Sequence, residues 1–228
     1  MSRTVIAALF QSLDGIASDP FKFQFDSFDE EVGQWMNTAI GGVDDCILGR
    51  VTYSEWENYW PNHTEGEDAP FADFINATPK HVASRTLSQA DLRWENSTLI
   101  QGDLVDFVRE LKGTDGGKIA VEGSMSVVRQ LVEAELIDEL TLAVHPVVAG
   151  SGRSLFEGGT TTRLAFKDVQ RTSKGNLLVT YGPFAGLTAG PTGGQSDGSA
   201  TRQLGSPAER HPDGRSPTGQ PRQTGYAR

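Results

Sequence analysis

Residues 118–140 read KIAVEGSMSVVRQLVEAELIDEL, and the choice of fold turns on them. Lys118 to Val121 is a short apolar, partly β-branched run that suits a buried strand, and the chain turns into a helix at the Gly123-Ser124 pair. The same order recurs upstream in DDCILGRVTYSEWENYWP (44–61), where Asp45 to Leu48 reads as a buried strand, Gly49 breaks it, and an aromatic-rich helix ends before Pro61.

Further out, Thr4 to Phe10 is an apolar first strand ended by the turn chemistry of QSLDGIAS. Ser27 and Glu30 have capping-box spacing ahead of a helix whose Phe28, Val32, Trp35, Met36, Ala39 and Ile40 share one face. Lys80 to Ala83 and Thr98 to Gln101 are strand candidates, and Asp103 caps a helix carrying Leu104, Phe107, Val108 and Leu111. Strands alternating with helices over residues 4–137 imply crossovers and a mostly parallel sheet covered on both faces, an α/β fold in three layers, α/β/α. After that point LTLAVHPVVAG, RLAFKDVQR and NLLVTYGP are strand-like, so the sheet is expected to finish with antiparallel C-terminal strands. No fixed-period repeat supports a solenoid or propeller.

A boundary falls near Pro183. Residues 185–228 hold nine Gly and five Pro in 44 positions and no Val, Ile, Phe, Met or Trp, which cannot form a packed core, so 1–184 is read as the domain and 185–228 as a disordered Gly/Pro-rich tail. The whole chain carries net charge −10, and the tail's five Arg against three acidic residues leave the domain more acidic still, which argues against nucleic acid or an anionic membrane as partner. No apolar run approaches the ~20 residues of a membrane span. The N-terminus has no secretory pattern, and the single cysteine, Cys46, fits a small buried strand residue in a reducing, cytoplasmic setting.

Three strand-to-loop junctions concentrate phosphate chemistry: Gly49, Arg50 and Thr52; Ser84, Arg85 and Thr86; Gly123, Ser124 and Ser126. Guanidinium groups bind phosphate bidentately, hydroxyls add short bonds, and the glycines admit an oxygen close to the backbone. Ligands of open α/β sheets lie at such carboxyl ends. Two separate Arg positions favour a dinucleotide with an additional phosphate, NADP over NAD. There is no G-x-G-x-x-G after a strand, no P-loop and no H-E-x-x-H. The four histidines have no metal-ligand spacing, so no metal site is expected.

The segments SLDGIAS, ILGRVTYSEW, KHVASRTL, IAVEGSMSVVRQLVEAELIDEL and HPVVAGSGRSLFE, in this order across roughly residues 3–184, resemble the dihydrofolate reductase-like RibD C-terminal domain family. That resemblance implies the dihydrofolate reductase fold, NADPH as cofactor, and reduction of a pteridine-like or pyrimidine-like heterocycle, with 5-amino-6-(5-phosphoribosylamino)uracil reductase-type activity of riboflavin biosynthesis among the family's reactions. It places Gly49, Arg50 and Thr52 in the cofactor-phosphate loop, Ser84, Arg85 and Thr86 at the adenosine 2′-phosphate, Gly123, Ser124 and Ser126 at the pyrophosphate, and Asp14 near the nicotinamide. Glu122 stands where dihydrofolate reductase has the first of two adjacent glycines, and its charge opposes an anion. A homodimer through the strands around HPVVAGSGRSLF is also implied.

Hydride transfer needs alignment, exclusion of water and a proton source. Asp14 is the candidate proton handler, with Asp29 and Glu31 beside the apolar helix face as alternatives. The rival reading is a non-catalytic NADP-binding homodimeric module.

Overall fold

The computed structural model describes residues 2–66 and 69–185. The chain divides into two units, 1–188 and 189–228; the second, and all of the expected tail but Ala185, lies outside the described residues. Eight strands form one sheet: β1 (Val5–Ser12), β2 (Val43–Gly49), β3 (Lys80–Ala83), β4 (Ser97–Leu99), β5 (Lys118–Gly123), β6 (Glu139–His145), β7 (Leu164–Arg171) and β8 (Leu177–Pro183). Their order is β4-β3-β2-β5-β1-β6-β8-β7. Every pairing from β4 to β6 is parallel, and β8 joins β6 and β7 antiparallel, as the sequence pattern implied.

Among the described residues five α-helices cover the sheet: α1 (Glu30–Ile40), α2 (Arg50–Trp56), α3 (Ala69–Ala77), α4 (Leu104–Lys112) and α5 (Met125–Glu133). Crossovers from β1 to β3 step towards the β4 edge, whereas those through α4 and α5 step back. Right-handed connections therefore put α1–α3 on one face and α4–α5 on the other.

Strand alternation divides the core accordingly. On the α4–α5 face Ala7, Ile47, Val121 and Leu140 meet Val108, Val128 and Leu131 in one continuous cluster. The opposite face holds two: Cys46, Leu48 and Ala120 with Tyr53 and Ile75, and Val32, Ala143 and Leu178 with Phe10 and Trp35. Between these two lies β1, an inner strand whose Ala8 is nevertheless exposed.

The structure corrects four local readings. The first helix is capped by Asp29, whose Oδ1 accepts from Val32 N at 2.9 Å; Ser27 is unavailable because its hydroxyl is 2.7 Å from His145 Nδ1 and also bonds Gln24 O. The second helix stops at Trp56, and Pro61 sits inside a separate 3-10 turn, Trp60–Asn62. A helix over Ala69–Ala77 occupies a stretch in which no element was expected. Finally, β6 ends at His145, so PVVAG is loop and not strand, as an X-Pro bond without an amide donor dictates. Among the described residues no helix is long and apolar enough to cross a membrane.

Candidate functional site

Two registers open the sheet at its carboxyl edge. β1 pairs with β5 only from Val5↔Ile119 to Ala7↔Val121, while on its other side it follows β6 as far as Ser12↔His145. The strands part above Ala7 and Val121, and their crossovers depart in opposite directions, the topological switch point at which α/β sheets bind ligands. Exposed Ala8 is the first β1 residue beyond the split.

The second register is between β2 and β5, where Ile47↔Val121 is followed by Leu48↔Gly123. Glu122 is thus the extra residue of a β-bulge, the device by which a strand re-aims one side chain. Burial pushes its carboxyl up to about 7. The Cys46 thiol is raised first by its own burial and then by the Glu122 charge, so the two groups lie near one another. Glu122 as a whole residue is half-buried.

Beside the opening, the β2–α2 and β5–α5 turns interlock. A Cβ on Gly49 would lie 2.9 Å from Ser124 N, against the Ser124 hydroxyl as well, and one on Gly123 would lie 2.9 Å from Thr52 Oγ1. Gly123 also has φ +121, where side chains are strained. Gly49, Thr52, Gly123 and Ser124 are therefore brought together, and Ser126 joins them through a 3.1 Å hydroxyl contact with Ser124.

The capping pattern adds to this. Asp29 and Asp103 satisfy the first amides of α1 and α4, but Ser124, the N-cap of α5, makes no side-chain cap bond. Val127 N donates to Ser124 O at 2.9 Å, but no cap side chain takes the Met125 and Ser126 amides at the start of α5, which suits an anion.

Arg50 is exposed at the start of α2. Ser84 Oγ accepts from Thr86 N at 3.1 Å and Leu87 N at 3.0 Å, a turn that leaves Arg85 and Thr86 exposed at the end of β3, the strand next to β2. Neither Arg50 nor Arg85 makes an ion pair among the described residues.

Asp14 has a different environment. Its carboxylate accepts from Ser12 Oγ at 2.6 Å, Ala149 N at 2.9 Å and Gly150 N at 2.8 Å. The Ser12 bond, then the two amides, hold its pKa at about 2. It ties the turn after β1 to the loop after β6.

A buried polar network fixes the neighbouring α1 terminus. His145 and Asn176 are fully buried; Asn176 Nδ2 donates to Ser27 O at 2.6 Å, Thr172 Oγ1 at 3.0 Å and Asp29 Oδ2 at 3.2 Å. Asp29, one of the alternative proton handlers, is occupied by these bonds, and Glu31 by Ser173 N at 2.9 Å and the Ser173 hydroxyl.

Sequence reading left out Ala8, Phe10, His145 and Asn176, and treated Glu122 as an obstacle. The signal for Glu122 was the Val-Glu-Gly order itself, since a glycine after the last apolar strand residue permits a bulge. Among the described residues no three His, Cys, Asp or Glu stand together as a metal site.

The model of the RibD C-terminal domain family matches residues 3–178. A curated relative, the uncharacterized protein YyaP of Bacillus subtilis (strain 168), is 26% identical over 156 residues, which is 68% of this chain and 80% of YyaP. A putative riboflavin biosynthesis protein from Shewanella sp. PV-4 superposes with TM-score 0.59 at 21% identity, over 80% of this chain and 98% of that one. Dihydrofolate reductase from Enterococcus faecalis, solved with NADP(H) and RAB-propyl, superposes with TM-score 0.52 at 13% identity, over 80% and 98% respectively.

Proposed function

The chain belongs to the RibD C-terminal domain family, and from that premise we propose that it is an NADPH-dependent reductase that delivers a hydride to a pteridine-like or pyrimidine-like heterocycle. One observation carries the reading: an uncapped helix start and two interlocked glycine turns lie at the same carboxyl edge of the sheet as the β1–β5 split and the β5 bulge with its desolvated carboxyl.

The residues fit the cofactor. Gly49 and Gly123 let the β2–α2 and β5–α5 turns interlock, and the amides at the start of α5 with Ser124, Ser126 and Thr52 would supply donors for the oxygens of a pyrophosphate. Arg50 adds charge to that site. Arg85, with Ser84 and Thr86, would hold a 2′-phosphate through bidentate bonds. When bound, NADPH would supply the hydride, and the residues at the split between β1 and β5 would hold its ring.

We assign proton handling to Glu122 in place of Asp14. A carboxyl near pKa 7 carries a proton at neutral pH in about half of the molecules and can give it to a ring nitrogen as the adjacent carbon accepts hydride. Hydride on carbon and this proton on nitrogen would convert the C=N bond to CH–NH with the cofactor oxidised, and Glu122 would then regain its proton from solvent. Asp14, held near 2, stays ionised and anchors its loop. The α1 side and the floor around Ala8 orient the acceptor and exclude water.

A second copy is assigned to the outer face of β7 and β8, not to PVVAG. A bulge at Lys167 puts Phe166 and Val169 on one side, where they are 62% and 48% exposed with Leu177 at 41%, an apolar face that pairing would cover.

The test is a paired titration with NADPH and NADH read by nicotinamide fluorescence, on the wild-type protein and Arg85→Ala. NADPH is expected to bind more tightly, with the preference lost in Arg85→Ala. Absence of binding by either nucleotide at millimolar concentration would sink the reductase reading.

A further inference from the structure

The acceptor's own chemistry is written at the mouth of the cleft. With the cofactor's phosphates on the β2, β3 and β5 turns, the acceptor must approach from the α1 side, over Ala8. Two segments border that side at the carboxyl edge: the β1–α1 connection and the loop after β6. They are joined to each other by Leu13 N to Val147 O at 2.8 Å, Ala17 N to Arg153 O at 3.0 Å and an Ile16↔Ser154 bridge.

Their exposed side chains are unusually apolar for loops. Leu13 and Val148 are each 67% exposed and Phe25 75%, while Phe28, edge-on to Phe10 at 6.0 Å, is 45% exposed. Phe10 is the next same-face residue of β1 after Ala8, so Phe28 continues the cleft wall outward. Phe25 takes φ 44, a conformation that a bulky residue rarely adopts, and the neighbouring Phe23 is buried against His145 at 6.0 Å.

The charge around this wall is negative. The same connection carries Asp14, Asp19 and Asp26 at the surface, and α1 opens with the exposed Glu30 and Glu31. Its Lys22 is engaged with Asp19 at 3.2 Å, and Lys174 bonds Asp26 O. Arg153 is the one exposed cation of the facing segment around residues 147–154. A dianionic phosphate at this mouth would meet far more carboxylate than guanidinium.

We propose that the heterocycle reduced here bears an uncharged apolar substituent, not a phosphorylated sugar, and that the substituent lies against Phe28, Phe25, Leu13 and Val148. The inference rests on the reductase reading and narrows its substrate class. Burial of a phenyl-sized group on this wall would supply the ground-state affinity that a phosphate clamp would otherwise provide.

The experiment uses the full chain and first repeats the NADPH titration, so that loss of cofactor binding marks failure of the reductase reading alone. Two probes with the same aminopyrimidine ring are then compared in the presence of saturating NADPH, one carrying a benzyl group and one a ribose 5-phosphate. Turnover is followed by NADPH oxidation and binding by calorimetry. The benzyl probe is expected to bind about tenfold or more tightly, and Phe28→Lys, checked for folding by its melting curve, to shrink or reverse that preference. Phe25→Ser should weaken the benzyl probe and leave the phosphorylated one unchanged. Equal or better binding of the phosphorylated probe overturns the proposal, as does failure of both probes when NADPH binds. A concentration-dependent dimer that Phe25→Ser dissolves also overturns it, because the wall would then be a contact between copies.

Discussion

The two faces of the sheet are built from the same strands and do opposite work. On the α4–α5 side the apolar side chains form one uninterrupted cluster from Val5 to Leu155. On the α1–α3 side the apolar surface is broken into two clusters, an inner strand shows an alanine to solvent, a bulge turns a carboxyl into the break, and a buried histidine and asparagine take the place of hydrocarbon. A continuous core maximises burial; a broken one forgoes some in exchange for a cleft with polar groups held at fixed places. The comparison therefore separates residues whose loss lowers stability from residues whose loss removes ligand recognition.

The largest effect is expected on the continuous face. Leu131→Ala deletes a fully buried side chain and should cost about 2–5 kcal/mol in urea melts, with NADPH affinity unchanged in the protein that remains folded. A comparable loss of cofactor binding at temperatures well below the melt would break the division between faces. Next is Gly49→Val at the interlocked turns. The added atoms meet Ser124 N at 2.9 Å, backbone that cannot yield, so the cost is about 1–3 kcal/mol of overpacking together with loss of measurable NADPH binding. Retention of wild-type binding would remove these turns from the site.

Much of the fold was legible because it rests on local chemistry. The strand-glycine-helix junctions at Gly49 and Gly123, the Asp103 cap and the C-terminal strands all announce themselves within a few residues. What stayed hidden depends on partners distant in sequence. Asp29 displaces Ser27 as the cap only because His145, 118 residues away, claims the Ser27 hydroxyl. Glu122 looked hostile to an anion in a linear reading, yet the bulge that turns it towards the cleft is visible only against β2. Asp14 was recognisable as a turn residue, but the Ala149 and Gly150 amides, which after the Ser12 hydroxyl lower its pKa, come from the loop after β6, 135 residues away in sequence. The helix over Ala69–Ala77 follows Pro61 and a polar run, and the sequence signals for its start, Asp68 just before it and Pro70 in its first turn, went unread.

Glu122→Gln sharpens the comparison through pH. The unfolded carboxyl titrates near its ordinary 4.5, whereas burial raises the folded one to about 7. The folded state therefore binds more protons between those values, so wild-type stability falls as pH rises through that window and stays lower above it. Glutamine carries no such penalty. The variant should be more stable than the wild type at pH 8, with the difference gone below pH 4.5, and should lose the activity limb near pH 7. Lower stability of the variant at pH 8 would mean that the carboxylate is held by bonds, as a structural residue is.

The smallest effect belongs to His145, where the sign reverses. It is buried at the end of β6, with its Nδ1 2.7 Å from Ser27 Oγ and its Nε2 3.4 Å from the Gln24 amide, between the rings of Phe10 and Phe23. Desolvation lowers its pKa below the ordinary 6.5, opposed by the Asn176 bond and by the Asp29 carboxylate. An unfolded histidine takes up a proton as pH falls past 6.5, while the folded one resists until its own lower pKa is reached. The stability it contributes is thus complete above 6.5 and is lost as pH falls through the folded value. Asp29 offsets part of the desolvation, and no other charged group among the described residues is paired with the ring, so the loss should be small. Urea melts at pH 7.5 and pH 5.5 measure it, and His145→Gln, which can keep a bond to Ser27, should flatten the difference. An equal drop in the variant would assign the acid sensitivity to the carboxylates of the α1 terminus, and the polar network would then owe its pH response to Asp29.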